Sequence, residues 1–341
     1  MPEPLRQSDE RLVLGLTLEP EAQLYAELFA AEALADARPA GYDQIAVVLL
    51  RHDGAVAAHV GGADYGALNG FDIAVKGSRS PGSTLKPFLY QCALETGKTG
   101  ATPVLDEPRA FVAGWTPRNH DGRYLGRISL EEALVRSRNP PAVAELQSCG
   151  FERFTEVLRR VGITAAMPHE LTIALGSAPV PLIQLTTAYA AIANDGQRVA
   201  PYAVWYARRL NGSPVYRRPS APSGSPAMDR RTNCAMSHML RRVVTAGTGR
   251  NAAFAHPAAG KTGTSSSYRD ALFVGFSADY VMGVWIGATN GRRIAAPSTG
   301  GGLPAKLFRR TMATLHDGGT PAREVGCATR EAAAEPPDGS G

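Results

Sequence analysis

The sequence predicts an α+β chain: one antiparallel sheet built from both chain ends, helices on its faces, and an all-helical lobe. Three observations lead there. Strand-like runs fall early, IAVVLL (Ile45 to Leu50) and AVAAHV (Ala55 to Val60), and late, from GKTGT at Gly260 through ALFVGF and YVMGVWIGA to Ala288. Helical patterns with recognisable caps fill the stretch between. At 341 residues and 44% hydrophobic, the chain has ample apolar mass for a layered core. Strands and helices segregated in this way pack in layers, and the gap between a sheet edge and a helical lobe is a natural cleft.

The elements follow in order. PEAQLYAELFAAEALADAR reads as an amphipathic helix that Pro20 opens, with Leu24, Leu28 and Ala31 on one face and Pro39 closing the segment. The two early strands are joined by RHDG, so they form a hairpin. RSPGSTLKPFLYQCALETG predicts a helix opening near Ser83, tolerating Pro87 in its first turn and ending at Gly97. Ser129 and Glu132 make a capping box for a short helix that stops at Arg138 and Asn139, because Pro140 and Pro141 disfavour helical geometry before them. PLIQLTTAYAAIANDG and DRRTNCAMSHMLRRVV read as further helices, with a linker-like RRPSAPSGSPA (Arg217 to Ala227) between them. The late strands come next, SAD turning between the last two, and LPAKLFRRTMATLH closes as a helix.

Composition narrows the function classes. A net charge of +5, without a block of like charges or a basic helix, does not indicate nucleic-acid binding. No run reaches the roughly 18 apolar residues of a membrane span, and the polar, acidic MPEPLRQSDE is not a secretory signal. Cys92, Cys149, Cys234 and Cys327 show no metal-ligand spacing and read as small buried hydrophobes. The lysines, Lys76, Lys86, Lys98, Lys261 and Lys306, are few in a chain with 36 basic residues. Where lysine persists beside so much arginine, the site is a candidate for an amine that can lose its proton.

GKTG occurs twice, from Gly97 and from Gly260. The first follows a long helix, where Gly97 suits a left-handed C-cap and Lys98 the negative end of the helix dipole. The second opens a strand, where Gly263 lets a ligand approach the backbone. In chain order the sequence offers Ser83-Thr84-Leu85-Lys86, Ser137-Arg138-Asn139 and Lys261-Thr262-Gly263-Thr264. Singly, each reads as a cap, a helix end or a solvated charge. Together they match the S-x-x-K, S-x-N, K-T-G set of penicillin-recognising serine enzymes.

The resemblance extends beyond these motifs. TLEPEAQLYAE, RSPGSTLKPFLY, EEALVRSRNPPAV, ALGSAPVPLIQLTTAYAAIANDG and AGKTGTSSSYRDALFVGF resemble landmarks of the transpeptidase domain of class A penicillin-binding proteins. GSTLKPFLY and NHDGRYLGRISLEEALVRS are most similar to the 1C type. The match covers approximately residues 14 to 316, leaving a tail at 1–13 and a final segment at 317–341 that reads as disordered.

The resemblance implies the penicillin-binding/β-lactamase-like serine transpeptidase fold and these roles. Ser83 is the nucleophile and Lys86, one turn along, its base, if burial and the charge of Lys261 lower its pKa. Ser137 relays a proton to the leaving group, and Asn139 holds Lys86 and the substrate amide. Lys261, Thr262, Gly263 and Thr264 receive the donor's terminal carboxylate, and the N–H groups of Ser83 and Thr264 form an oxyanion hole.

The reaction it implies is D,D-transpeptidation of peptidoglycan stem peptides ending in D-Ala-D-Ala, with β-lactam antibiotics acylating the same serine. No metal or organic cofactor is implied, and cell-wall synthesis proteins are the expected partners. The location implied is the periplasmic side of the bacterial inner membrane. Relatives of this type carry an anchor and a glycosyltransferase domain that this sequence does not contain. Three alternatives remain beside it: a serine β-lactamase, for which Glu170 offers a carboxylate at an inviting spacing but without the E-x-x-L-N pattern; a D,D-carboxypeptidase; and a β-lactam-binding remnant without catalysis.

Overall fold

The computed structural model describes residues 10–64, 66, 70–219, 226–265, 269–288, 299–317 and 325. Its strands are β1 (Leu12–Leu16), β2 (Gln44–Arg51), β3 (Val56–Val60), β4 (Ser78–Arg79), β5 (Pro103–Asp106), β6 (Gly126–Ser129), β7 (Val180–Pro181), β8 (Val204–Arg209), β9 (Pro214–Arg217), β10 (Ala259–Thr264), β11 (Asp270–Phe276) and β12 (Tyr280–Gly287). Its helices are α1 (Pro20–Ala37), α2 (Ile73–Lys76), α3 (Lys86–Glu95), α4 (Leu130–Val135), α5 (Asn139–Cys149), α6 (Phe151–Arg160), α7 (Leu182–Ala193), α8 (Arg230–Thr245) and α9 (Leu303–Leu315).

The main sheet has the order β10-β11-β12-β2-β3, every neighbouring pair antiparallel. The early hairpin and the late strands therefore do meet in one sheet. The continuous apolar run IAVVLL is explained by burial on both sides. Ile45, Val47 and Leu49 face α1 and α9, while Ala46, Val48 and Leu50 face the core shared with α3, α5 and α7. The β3 edge is closed by Gln23 of α1, which donates to the His59 carbonyl and accepts from its N–H.

The remaining strands make small sheets, among them β1-β8-β9, which periodicity did not announce. Its first strand begins at Leu12, two residues ahead of the expected domain start. Residues 220–225 of the predicted linker, and most of the residues beyond 317, lie outside the described set.

Three expectations are corrected. In α1 the buried residues are Ala22, Ala26, Phe29, Ala30, Leu34 and Ala37, whereas Leu24 and Leu28 are 59% and 47% exposed. The helix packs through its small residues, letting it approach the sheet closely, and the leucines point outward. Asn139 does not end a helix but opens α5, with Pro140 and Pro141 in its first turn, where a missing N–H costs nothing. Cys92 and Cys149 are not free hydrophobes but are disulfide-bonded, Cα atoms 6.3 Å apart, joining α3 to the end of α5. Cys234 is disulfide-bonded as well, and Cys327 lies outside the described residues.

Candidate active site

Strand β10 is the edge of the main sheet. Beyond that edge lies the 3₁₀ turn Gly82–Leu85, which leads into α3. The sequence suggested a regular helix from Ser83; the first turn is instead 3₁₀, in which residues three apart eclipse, so Ser83 and Lys86 lie one above the other.

Glycines bring the turn against the strand. A side chain at Gly263 would place Cβ 2.4 Å from the Pro81 carbonyl oxygen. The backbone of the turn that carries Ser83 thus makes a close approach at Gly263. Gly82, with φ +52°, packs on Thr264, and Gly176, with φ +74°, packs on Gly82 so tightly that a Cβ there would sit 2.1 Å from the Gly82 oxygen. The Gly82 N–H and the Ser80 hydroxyl both donate to the Gly176 carbonyl. On the buried side, the Tyr189 hydroxyl of α7 donates to the Thr84 carbonyl at 2.7 Å.

The other wall is the turn between α4 and α5, carrying Ser137, Arg138 and Asn139. The Ser137 N–H donates to the Leu134 carbonyl and the Arg138 N–H to that of Ala133, the paired bonds of a Schellman cap, with Ser137 in left-handed backbone at φ 59°. This position usually belongs to glycine. At the end of α3 it does: Gly97, φ +94°, makes the equivalent bond to Leu94, and Lys98 the equivalent bond to Ala93. The first GKTG is therefore a helix cap, and its lysine pairs with Glu145 of α5 at 2.6 Å.

Two buried ammonium groups meet at this turn. Lys86, 0% exposed, donates to the carbonyls of Ser137 (2.7 Å) and Arg138 (2.9 Å) and to Asn139 Oδ1 (2.7 Å). Lys261, also 0% exposed, donates to Ser137 Oγ at 2.8 Å and to the Thr262 carbonyl. Burial, then the charges of Lys261 and Arg138, hold the Lys86 amine well below its ordinary range, with Asp106 pulling the other way. Burial alone brings Lys261 down to about 7. The Ser83 hydroxyl, half-buried, makes no hydrogen bond among the described residues. Lys86 is thus seated on the Ser137–Asn139 turn, and serving Ser83 requires one of its bonds to exchange.

Ser83, Ser137, Arg138, Asn139, Thr262 and Thr264 line one cavity of about 430 Å³. The Thr262 and Thr248 hydroxyls bond each other at 2.8 Å, and Thr264 Oγ1 accepts from the Gly300 N–H. Glu170 is exposed, its carboxylate accepts from the nearby Thr172 hydroxyl, and it does not line this cavity. Among the described residues no group of three His, Cys, Asp or Glu side chains is placed to hold a metal ion.

Sequence reasoning missed the support beneath the S-x-N turn. Arg138 runs back at 3.4 Å from fully buried Asp106 and is bonded by Asp121. Asn119 donates to Asp106 and accepts from the Asn139 N–H at 2.8 Å. Nothing in the pattern of NHDGRYLG says that Asn119 is 95% buried as a bracket.

Residues 44–313 match the penicillin binding protein transpeptidase domain. The chain belongs to that family. It is 37% identical over 270 residues to penicillin-binding protein 1A of Neisseria meningitidis, covering 75% of this chain and 33% of that protein. To penicillin-binding protein 1A of Pseudomonas aeruginosa it is 31% identical over 316 residues, covering 76% of this chain and 38% of that protein. The chain thus spans about a third of the length of these curated relatives.

The penicillin-binding protein PonA1 from Mycobacterium tuberculosis superposes with a TM-score of 0.82 at 26% identity, covering 92% of this chain and 87% of that one. Its complex with penicillin V gives the same score over 93% of this chain and 89% of that one. The penicillin-binding fold and the transpeptidase family are as expected; the particular closeness to the 1C type finds no support among these 1A relatives.

Proposed function

We propose that this domain is a serine D,D-transpeptidase that cross-links peptidoglycan stem peptides through a Ser83 acyl-enzyme. The observation that carries the proposal is the convergence of two buried lysine amines on the Ser137 turn, which lines the same cavity as Ser83. Buried amines with depressed pKa values are suited to proton transfer near neutral pH, which arginine is not.

Ser83 Oγ attacks the carbonyl carbon of the D-Ala-D-Ala bond while its proton passes to Lys86. The N–H groups of Ser83 and Thr264 stabilise the oxyanion. Ser137, linked to Lys261, delivers a proton to the departing nitrogen, and D-alanine leaves. The amine of a neighbouring stem then attacks the ester, its proton is taken up by the same groups, and Ser83 is released as the new amide forms. The donor peptide lies along the open edge of β10, as an added strand does, its terminal carboxylate at Lys261, Thr262 and Thr264. β-Lactams acylate Ser83 by the same first step.

The Cys92–Cys149 bond supports an oxidising compartment, in keeping with the periplasmic side of the inner membrane. Cell-wall synthesis proteins are the partners this reading implies. Glu170, the carboxylate that a β-lactamase reading would use for deacylation, does not line this cavity, which favours the transpeptidase.

The test supplies purified protein with a donor stem peptide ending in D-Ala-D-Ala and an amine acceptor peptide, with products separated by mass. A cross-linked dimer with released D-alanine supports the transpeptidase. D-Alanine release without a dimer makes it a carboxypeptidase, and no release at all refutes both.

A further inference from the structure

The segment from Pro117 to His120 alternates, Pro117 and Asn119 buried, Arg118 and His120 exposed. It is held rigidly. Asn119 is fastened to Asp106 and to the Asn139 N–H, and the Leu125 N–H donates to the second Asp106 oxygen. The exposed residues of this bracket, Arg118 and His120, line the same cavity as Ser83. The charges around Arg118 are spoken for: Asp121 is bonded to Arg138, and Arg136 to Glu132. Arg118 makes no ion pair among the described residues. Its own carbonyl accepts from Asn139 Nδ2 at 2.6 Å, which places its backbone beside the residue that the proposed mechanism gives to the substrate amide.

From this we infer that Arg118 is a specificity-determining residue that recognises a carboxylate on the acyl side of the scissile bond. In a stem peptide this would be a free carboxylate on the side chain of the residue preceding the acyl D-alanine. The inference rests on the transpeptidase reading of the site. A guanidinium pairs with carboxylate in a bidentate manner that an amide or a point charge reproduces poorly. Because Arg118 is exposed, the pair is screened and its effect is modest.

The test uses two penicillins identical except that the acyl side chain of one carries a free carboxylate and that of the other its carboxamide. Second-order acylation rates are measured by intact mass for wild type, Arg118→Gln and Arg118→Lys. The ratio of the two rates within each protein cancels any general change in reactivity.

The wild-type ratio is expected to favour the carboxylate by about two- to fivefold and to shrink at high salt. Arg118→Gln is expected to bring it to about one, with Arg118→Lys between, since a lysine keeps the charge without the fork. A wild-type ratio of one, or a preference that Arg118→Gln leaves intact, overturns the inference while leaving Ser83 acylation standing. Loss of acylation by both penicillins in Arg118→Gln also overturns it, because the residue then acts on the reaction rather than on the side chain. Failure of wild type to react with either compound defeats the transpeptidase reading, and this inference with it. Acylation reports on the donor alone, so an acceptor carboxylate cannot produce the expected ratio.

Discussion

Ser137 occupies, in the cap of α4, the place that Gly97 occupies in the cap of α3, both in left-handed backbone, at φ 59° and 94°. Glycine is free there and serine is not; a non-glycine residue in that region costs about 1–2 kcal/mol. The strain places a hydroxyl between the cavity and the buried Lys261, 2.8 Å from its amine. Ser137→Gly is therefore expected to keep or slightly raise the melting temperature while slowing acylation by penicillin at least about a hundredfold, the usual range for losing a proton-transfer group. A Ser137→Gly protein that melts several degrees lower would show that the hydroxyl is there for the fold.

Lys261 carries a second cost. Its amine is brought to about 7 when folded, against 10.5 ordinarily. Between those values the unfolded chain holds a proton that the folded one has released, so stability climbs as pH rises through that window, and below pH 7 the folded state bears the full cost. Lys261→Met is expected to be more stable than wild type at pH 6 by about 1–4 kcal/mol, with the gap closing toward pH 10. Urea melts at both pH values measure it. The same variant should lose acylation, a stability gain that costs function.

The pH dependence of acylation tests the proposed roles of the same pair. In the proposed mechanism Lys86 is neutral to accept the Ser83 proton and Lys261 charged to hold the substrate carboxylate, so the profile is expected to be a bell whose alkaline limb lies near 7. In Lys261→Arg that limb should move upward, because arginine keeps its proton. An alkaline limb unmoved by the substitution would assign it elsewhere.

Gly176 packs on the turn that carries Ser83, the proposed nucleophile. Gly176→Ala must both hold φ +74° and clear the Gly82 carbonyl, 2.1 Å from the new Cβ. A loss of about 2 kcal/mol or more is expected, together with slower acylation because the Ser83 turn shifts. Thermal melts and acylation rates, read together, check it; stability lost with the rate unchanged would separate Gly176 from the nucleophile turn.

The Cys92–Cys149 bond ties the helix following Ser83 to the one begun by Asn139, across 57 residues of sequence. Cys149→Ser should lower stability by about 4 kcal/mol, the chain-entropy value for a loop of that size. A thiol count on the denatured, unreduced wild-type protein supplies the control, and one that finds Cys92 and Cys149 as thiols would contradict the bond.

The sheet was legible because its interior strand β2, with IAVVLL, is buried on both faces and its late strands are long and apolar. The buried face of α1 was not, since small alanines pack inward while larger leucines, which carry the hydrophobic signal, remain exposed. The three motifs could be read as a set: the structure brings Ser83, Ser137, Asn139, Thr262 and Thr264 to one cavity and bonds the buried Lys86 and Lys261 to its Ser137 turn. Their scaffolding could not. Asn119, Asp106 and Arg138 act through contacts across turns, and Ser137 conceals a glycine's conformation under a motif serine. Cysteine spacing alone does not report a bond between two helices.

The central claim is that Ser83 is the nucleophile of a slowly deacylating enzyme, and intact mass after adding penicillin tests it most directly. A stable one-to-one adduct on wild type, absent from Ser83→Ala, is the result this account predicts. An adduct that persists in Ser83→Ala, or none on folded wild type, would contradict it, and an adduct that forms and clears as the drug is consumed would make the protein a β-lactamase.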